Sequence, residues 1–313
     1  MLKALKAVAG VAATSFAVYN YGHNILELPF ALETYQKYKT NHCEQSWNFL
    51  LAQAKALDYD SVEKPPVQDV QSALQKRWVI MQHGYPSLDN LKQYDNHILA
   101  YSNIHRAPLW VCEHITPKTL TSNENISRSN NFKVDDSIHT YFRSSNKDYL
   151  NSGYDRGHLA AAGNHKHSQR AMDETFYLTN ICPQTGKGLN RSKWNDLEKR
   201  GRTLARKHGS VHVLTGPLFL PTVVAGEKFM KYKLIGENNV AVPTHFFKVI
   251  LTTDRQGLHH LESYVMPNEE IRDDLPITTF MVPKEAIEKG AGFLVFDNVQ
   301  GELIRSTNGV EMK

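Results

Sequence analysis

The pattern of apolar and polar positions changes texture near Trp78. From there on, short runs rich in aromatic, β-branched and aliphatic residues, bounded by turn formers, predict strands over 96–102 (NHILAYS), 108–115 (PLWVCEHI), 210–220 (SVHVLTGPLFL), 229–236, 244–252 and 259–267. The period becomes helical over 192–209, SKWNDLEKRGRTLARKHG. There Trp194, Leu197, Leu204 and Ala205 recur at helical spacing, basic residues fill the last turns, and Gly209 stands where a helix stops. A second helix is expected over 282–292. Strands before and after a central helix, without regular βαβ alternation, indicate an α+β layered domain. No internal repeat, low-complexity tract, P-loop or Rossmann glycine pattern is visible.

Upstream of that body the chain reads differently. Residues 1–30 carry Lys3 and Lys6, no acidic residue before Glu27, and many Ala, Val and Leu. The uncharged stretch from Ala7 to Leu26 has about the length of a bilayer span, although its second half is polar. A secretory signal, a mitochondrial presequence and a signal anchor all fit this composition. A helix is expected within 31–60, and Pro65 and Pro66 close a spacer. The expected organisation is therefore a targeting or membrane-anchor segment (1–30), a spacer (31–77), the main domain (78–300) and a C-terminal tail (301–313).

Charge sharpens the picture only when it is located. The 36 Lys and Arg against 32 Asp and Glu leave a net +4, too little to name a partner. Yet residues 151–210 hold six more basic than acidic side chains, so the excess is concentrated there. Such a cluster is either a solvated helix face or the footprint of an anionic substrate. Cys43, Cys112 and Cys182 are too few and too widely spaced for a disulfide framework or a Cys-x-x-Cys site, and no catalytic role is expected of them.

The basic region contains YDRGHLAAAGNH (154–165), which sets Asp155, Arg156 and His158 around a glycine. Some thirty residues on, Asn190 precedes the helix that carries Glu198 and Arg202. At about 100° per residue, Glu198 and Arg202 form an i, i+4 pair at the edge of the Trp194–Leu197–Leu204 stripe, and both emerge at the rim of whatever the helix packs on. An ordinary surface ion pair is the plain alternative. A neutral imidazole is a fit general base near physiological pH. Mg²⁺ prefers oxygen ligands, keeps most of its waters, and needs few direct protein contacts, of which an Asn190 amide oxygen is one candidate. Glu198 then suits holding metal-bound waters, and an arginine suits offsetting phosphate charge. Together these point to phosphodiester hydrolysis.

The blocks DRGHLAAAGNHKHSQRAMDETFYLTNICPQ, LNRSKWNDLEKRGR, TGPLFLP and IGENNVAVPTHFFKVIL, in this order over roughly residues 78–298, resemble the DNA/RNA non-specific endonuclease family. The resemblance implies a ββα-metal nuclease fold, with a central antiparallel sheet and helices packed on it. It also implies one Mg²⁺, for which Mn²⁺ can substitute, and cleavage of DNA and RNA to leave 5′-phosphate ends. It puts the general base at His158, the direct metal ligand at Asn190, the acid that organises metal-bound water at Glu198 and a phosphate-facing arginine at Arg202. Arg156, Asn180 and Asp155 become supporting residues. A further arginine is expected before VDDS, with Arg128 the candidate and Arg143 its neighbour.

For the N-terminus the resemblance implies mitochondria, with the body in the intermembrane space or at the inner membrane and release toward the nucleus in cell death. It further implies a homodimer. Two other readings remain to be tested. One is a zinc hydrolase using His158, His165 and His167, and the other is a membrane-tethered nucleic-acid-binding protein without catalysis.

Overall fold

The computed structural model describes residues 67–122 and 124–312. The N-terminal segment, the helix expected within 31–60 and the spacer up to residue 66 lie outside it. In chain order come α1 (Val67–Met81), β1 (Leu91–Gln93), β2 (His97–Ser102), β3 (Ala107–Ile115), α2 (Asn146–Tyr149), β4 (Asp155–His158), α3 (Gln169–Glu174) and β5 (Ile181–Gln184). Then follow α4 (Trp194–His208), β6 (Ser210–Leu218), β7 (Thr222–Val224), β8 (Glu227–Phe229), β9 (Leu234–Ile235), β10 (Val240–Ala241), β11 (His245–Thr253) and β12 (His259–Pro267). The chain ends with α5 (Lys284–Ala291), β13 (Ile304–Thr307) and β14 (Val310–Glu311).

Eight strands form one sheet in the order β1-β2-β3-β6-β11-β12-β13-β14. Neighbours run antiparallel except β12 and β13, which are parallel. β6 and β11 are buried over nearly their whole length, because both faces of the sheet are covered. The period of two in β11 sorts its side chains. Phe246 and Ile250 join one core with Trp194, Leu197 and Leu204 of α4, while Phe247, Val249 and Leu251 join the opposite core with Ile80 of α1 and Ile287 of α5. The result is an α+β sandwich in which α4 and the site lie on one face.

Helix α4 forms where the pattern placed it. Trp194, Leu197, Gly201, Leu204 and Ala205 make its buried stripe, and Arg206, Lys207 and His208 oppose the dipole at its last turn. Gly209, at φ +95°, ends it with its amide bonded to the Ala205 carbonyl at 2.9 Å. One expected strand is corrected. Residues 229–236 do not form a single strand: β8 ends at Phe229, and Leu234–Ile235 pair with β10 in a separate ribbon. Residues 227–234 are nearly all exposed, so no apolar face holds them to the main sheet. Residues 304–307 and 310–311, within the expected tail, add the last two strands of the sheet.

Candidate active site

β4 and β5 form an antiparallel pair in which Asp155 faces Gln184 and His158 faces Ile181. Gly157 is required by this pairing, since a Cβ there would overlap the Gln184 side chain. Beyond His158 the chain is clamped by Asn180. The Asn180 Oδ1 accepts from the Ala160 amide at 2.9 Å, while its Nδ2 donates to the carbonyls of Ala160 (2.9 Å) and Thr175 (2.8 Å). From the helix side, Trp194 Nε1 donates to the His158 carbonyl at 3.2 Å. The backbone of His158 is thus fixed by both flanking elements.

The His158 ring packs against Phe176 and Phe132, with centroids 4.7 and 5.3 Å away, and is 8% exposed. Its Nε2 has no hydrogen-bond partner. Burial, then the charges of Arg128 and Arg156 and the nearby His165, lower its pKa to about 3. Burial therefore keeps the imidazole in its neutral form in the physiological range, the form that carries a free ring-nitrogen lone pair.

At the other end of β4, the carboxylate of Asp155 accepts from Asn190 Nδ2 at 2.9 Å and from Arg191 Nε (2.8 Å) and Nη2 (2.6 Å). Burial opposes its ionisation, but the hydrogen bonds from Arg191 and Asn190 and the Arg191 charge prevail and hold its pKa below the usual value. A carboxylate only accepts, so it fixes the orientation of the Asn190 amide and leaves Oδ1 without a donor among the described residues. Asn190 lies in the kinked turn Gly186–Lys193 that leads into α4. Gly188 sits there at φ +74° against the backbone of Ile271, where any Cβ would collide.

One turn into α4, Glu198 lies 3.8 Å from Arg202, and both side chains are mostly buried. Arg202 Nη1 donates to Asn164 Oδ1 (3.1 Å), and Asn164 Nδ2 donates to both oxygens of Glu113 (3.1 Å each). His165 Nε2 donates to Glu113 (3.1 Å) while its Nδ1 accepts from Asn96 (2.9 Å). Lys248, 2% exposed, donates to Thr215 Oγ1 at 2.7 Å and lies 4.7 Å from the Trp194 ring centroid. Burial raises the Glu198 pKa, Lys248 and Arg202 pull it back, and Glu113 adds to the rise. Burial lowers that of Lys248 against the attraction of Glu113 and Glu198. Two carboxylates and two cations therefore balance beneath the site, as buried charges must.

Arg156 stacks 4.1 Å from the Phe132 centroid and donates to Asn146 Oδ1 at 2.7 Å. Arg128 is exposed, sits 5.6 Å from the Phe176 centroid, and acts electrostatically on both His158 and Glu198. Arg143 is instead tied to the Ile138 carbonyl and to Asp136. The zinc reading is corrected. Both ring nitrogens of His165 are committed to Asn96 and Glu113, His167 reaches the Thr119 carbonyl, and among the described residues no three His, Cys, Asp or Glu side chains could hold a metal. The oxygens of Asn190 and Glu198, by contrast, suit a hard divalent cation that keeps its waters. Cys112 and Cys182 are buried and free, and burial raises both thiol pKa values, which makes them inert.

The antiparallel pair β4–β5 followed by the helix α4, with a buried imidazole at the end of β4, is the arrangement of a ββα-metal nuclease. Residues 79–302 match the model of the DNA/RNA non-specific endonucleases, and the chain belongs to that family. It is 48% identical over 234 residues to the mitochondrial endonuclease G of Caenorhabditis elegans, covering 74% of this chain and 76% of the relative. Against the mitochondrial endonuclease G of Homo sapiens it is 46% identical over 221 residues, covering 70% and 74%. The mitochondrial nuclease of Saccharomyces cerevisiae is 38% identical over 250 residues, covering 75% and 76%. The crystal structure of an EndoG/EndoGI complex, concerned with EndoG inhibition, superposes with a TM-score of 0.74 at 47% identity, covering 75% of this chain and 97% of that one. The chain is accordingly a metal-dependent nuclease, and the names of its relatives support a mitochondrial location.

Proposed function

We propose that the chain hydrolyses DNA and RNA with a single Mg²⁺, replaceable by Mn²⁺, and leaves 5′-phosphate ends. The carrying observation is His158, neutral, buried and with no partner at Nε2. It takes the proton from a water that attacks the phosphorus in line, and the bond to the 3′ oxygen breaks, so the phosphate stays on the 5′ end of the downstream product. Asn190 Oδ1 would hold the metal directly and Glu198 would hold it through water, a division that fits the pinned amide and the buried carboxylate. When bound, the ion polarises the phosphate and stabilises the departing oxygen. Arg128, Arg156 and Arg202 offset charge on the non-bridging oxygens or hold the groups that do. Asn180 and Asp155 are positioning residues for the His158 segment and for Asn190. The basic, apolar residues 1–30 direct the chain to the mitochondrial intermembrane space or hold it at the inner membrane, and the working form is a homodimer able to reach the nucleus in cell death.

The test is digestion of supercoiled plasmid and of RNA by the purified full chain in Mg²⁺ or EDTA, beside folded His158→Ala and Asn190→Ala proteins. Both polymers should be degraded, and chelator or either substitution should stop it. Unimpaired cleavage by His158→Ala would overturn the base assignment, and a mobility shift without cleavage by the parent would favour a binding protein.

A further inference from the structure

The run of small residues in YDRGHLAAAGNH ends in a short helical turn, Ala162–Asn164, that brings Asn164 against Arg202 of α4. Asn164, His165 and Glu113 of β3 are 2%, 0% and 1% exposed, so their donors and acceptors must satisfy one another. Arg202 can only donate and the Glu113 carboxylate can only accept. The amide between them therefore has one orientation, with Oδ1 toward Arg202 Nη1 at 3.1 Å and Nδ2 toward both Glu113 oxygens at 3.1 Å each. Behind Glu113, Asn96 Nδ2 lies 2.9 Å from His165 Nδ1 and makes that nitrogen the acceptor, which leaves the Nε2 hydrogen for Glu113.

Neutralising charge does not by itself call for this arrangement, because a direct, two-pronged arginine–carboxylate contact is the strong form of such a pair. Glu113 touches no lysine or arginine among the described residues; its partners are His165 and Asn164. Glu198 and Arg202, one turn apart on α4, are placed to close into a direct contact. They stand 3.8 Å apart instead, and Glu198 accepts no hydrogen bond among the described residues. The guanidinium is drawn to Asn164, and Gly163 makes room for it, since a Cβ there would lie only 3.3 Å from Nη1. An open Glu198 carboxylate is what the proposed mechanism, on which this inference rests, requires for holding a cation through water. We propose that Asn164, oriented by Glu113, is a positioning residue that holds Arg202 off Glu198 and keeps that carboxylate free for metal-bound water. Without Asn164 the guanidinium closes on Glu198, and a metal must compete with the pair.

The test is a double-mutant cycle on the full chain, read by calorimetric titration with Mn²⁺ in proteins whose fold is checked by circular dichroism. Asn164→Ala should weaken Mn²⁺ binding by about tenfold while Arg202 is present. In an Arg202→Met protein, where no pair can close, the same substitution should change the affinity by less than about twofold. Glu113→Gln keeps the parent's shape but replaces one of the two oxygens that orient Asn164. It should show a smaller loss with the same dependence on Arg202, and it carries the test where Asn164→Ala fails to fold. A support that is merely structural would cost the same affinity with and without Arg202. Equal losses in the two backgrounds, or no loss in either, would overturn the positioning role while leaving the nuclease reading intact. A parent that binds no Mn²⁺ would overturn the assignment of Asn190 and Glu198 to the metal as well.

Discussion

The hydrogen bonds of Asp155 convert a flexible amide into a directed one. Because its carboxylate faces Asn190 Nδ2, the oxygen of that amide has a single orientation. Asp155→Asn can present an amide donor of its own and allow Asn190 to flip, so metal affinity should fall by about tenfold or more. Calorimetric titration with Mn²⁺ checks this, and an unchanged Kd would show that Asp155 serves only Arg191. As candidates, His158, Asn190, Glu198 and Arg202 stand out in the sequence because they fall within 45 residues in two short blocks. Glu113, Asn164, His165 and Lys248 were not, since they meet across separations that no local pattern encodes. A signal existed all the same: Glu113 in WVCEHI and Lys248 in HFFKVILT each interrupt an apolar strand with a charge, and such a charge needs a buried partner.

Helix α4 carries Glu198 and Arg202 of the candidate site, and its buried stripe packs on the sheet and, through Trp194, against the backbone of His158 in β4. Gly201 lies in its buried stripe, and a Cβ there would meet Val213 and Ile115 at 3.8 and 3.9 Å, ordinary contact distances. Gly201→Ala should therefore stabilise the fold by about 0.5–1 kcal/mol, through helix propensity, with no overpacking. Urea unfolding measures it, and a loss of stability would mean that the helix sits closer to the sheet than these distances indicate. The long strands were readable from β-forming runs between turn residues and α4 from its period, and the limits expected for α5 hold to within two residues. β4 and β5 were not, because four residues, buried or nearly so, make no alternation. Residues 229–236 misled because β-forming composition does not decide whether a strand finds a sheet.

Among the described residues, buried histidines shape the response to mild acid. His158 is lowered to about 3 and His83 and His114 to about 4, in each case chiefly by burial, and His97 and His212 are lowered well below their ordinary value. A histidine depressed in the folded state contributes stability that is complete above its unfolded pKa, near 6.5, and is lost as pH falls toward the folded value. Around the ring of His83 cluster His212 and His259, with centroids 4.5 and 5.1 Å away, and His212 Nε2 bonds the Val79 carbonyl at 2.9 Å. Protonation would thus loosen α1 as well as the site. The melting temperature should be nearly flat from pH 8 to 7 and fall steadily from about pH 6.5 toward pH 4. Scanning calorimetry across that range tests it, and a flat profile down to pH 4 would contradict the burial of these rings.

The claim on which the rest depends is that His158 takes the proton from the attacking water. Single-turnover cleavage of one DNA strand and of the RNA of the same sequence, by the parent and by His158→Ala in saturating Mg²⁺ at pH 7.5, tests it directly. Loss of a general base should slow the chemical step by about 10²–10⁴-fold on both polymers, with little change in substrate affinity. A His158→Ala protein that folds and cuts within about threefold of the parent rate, far inside that range, would contradict the account.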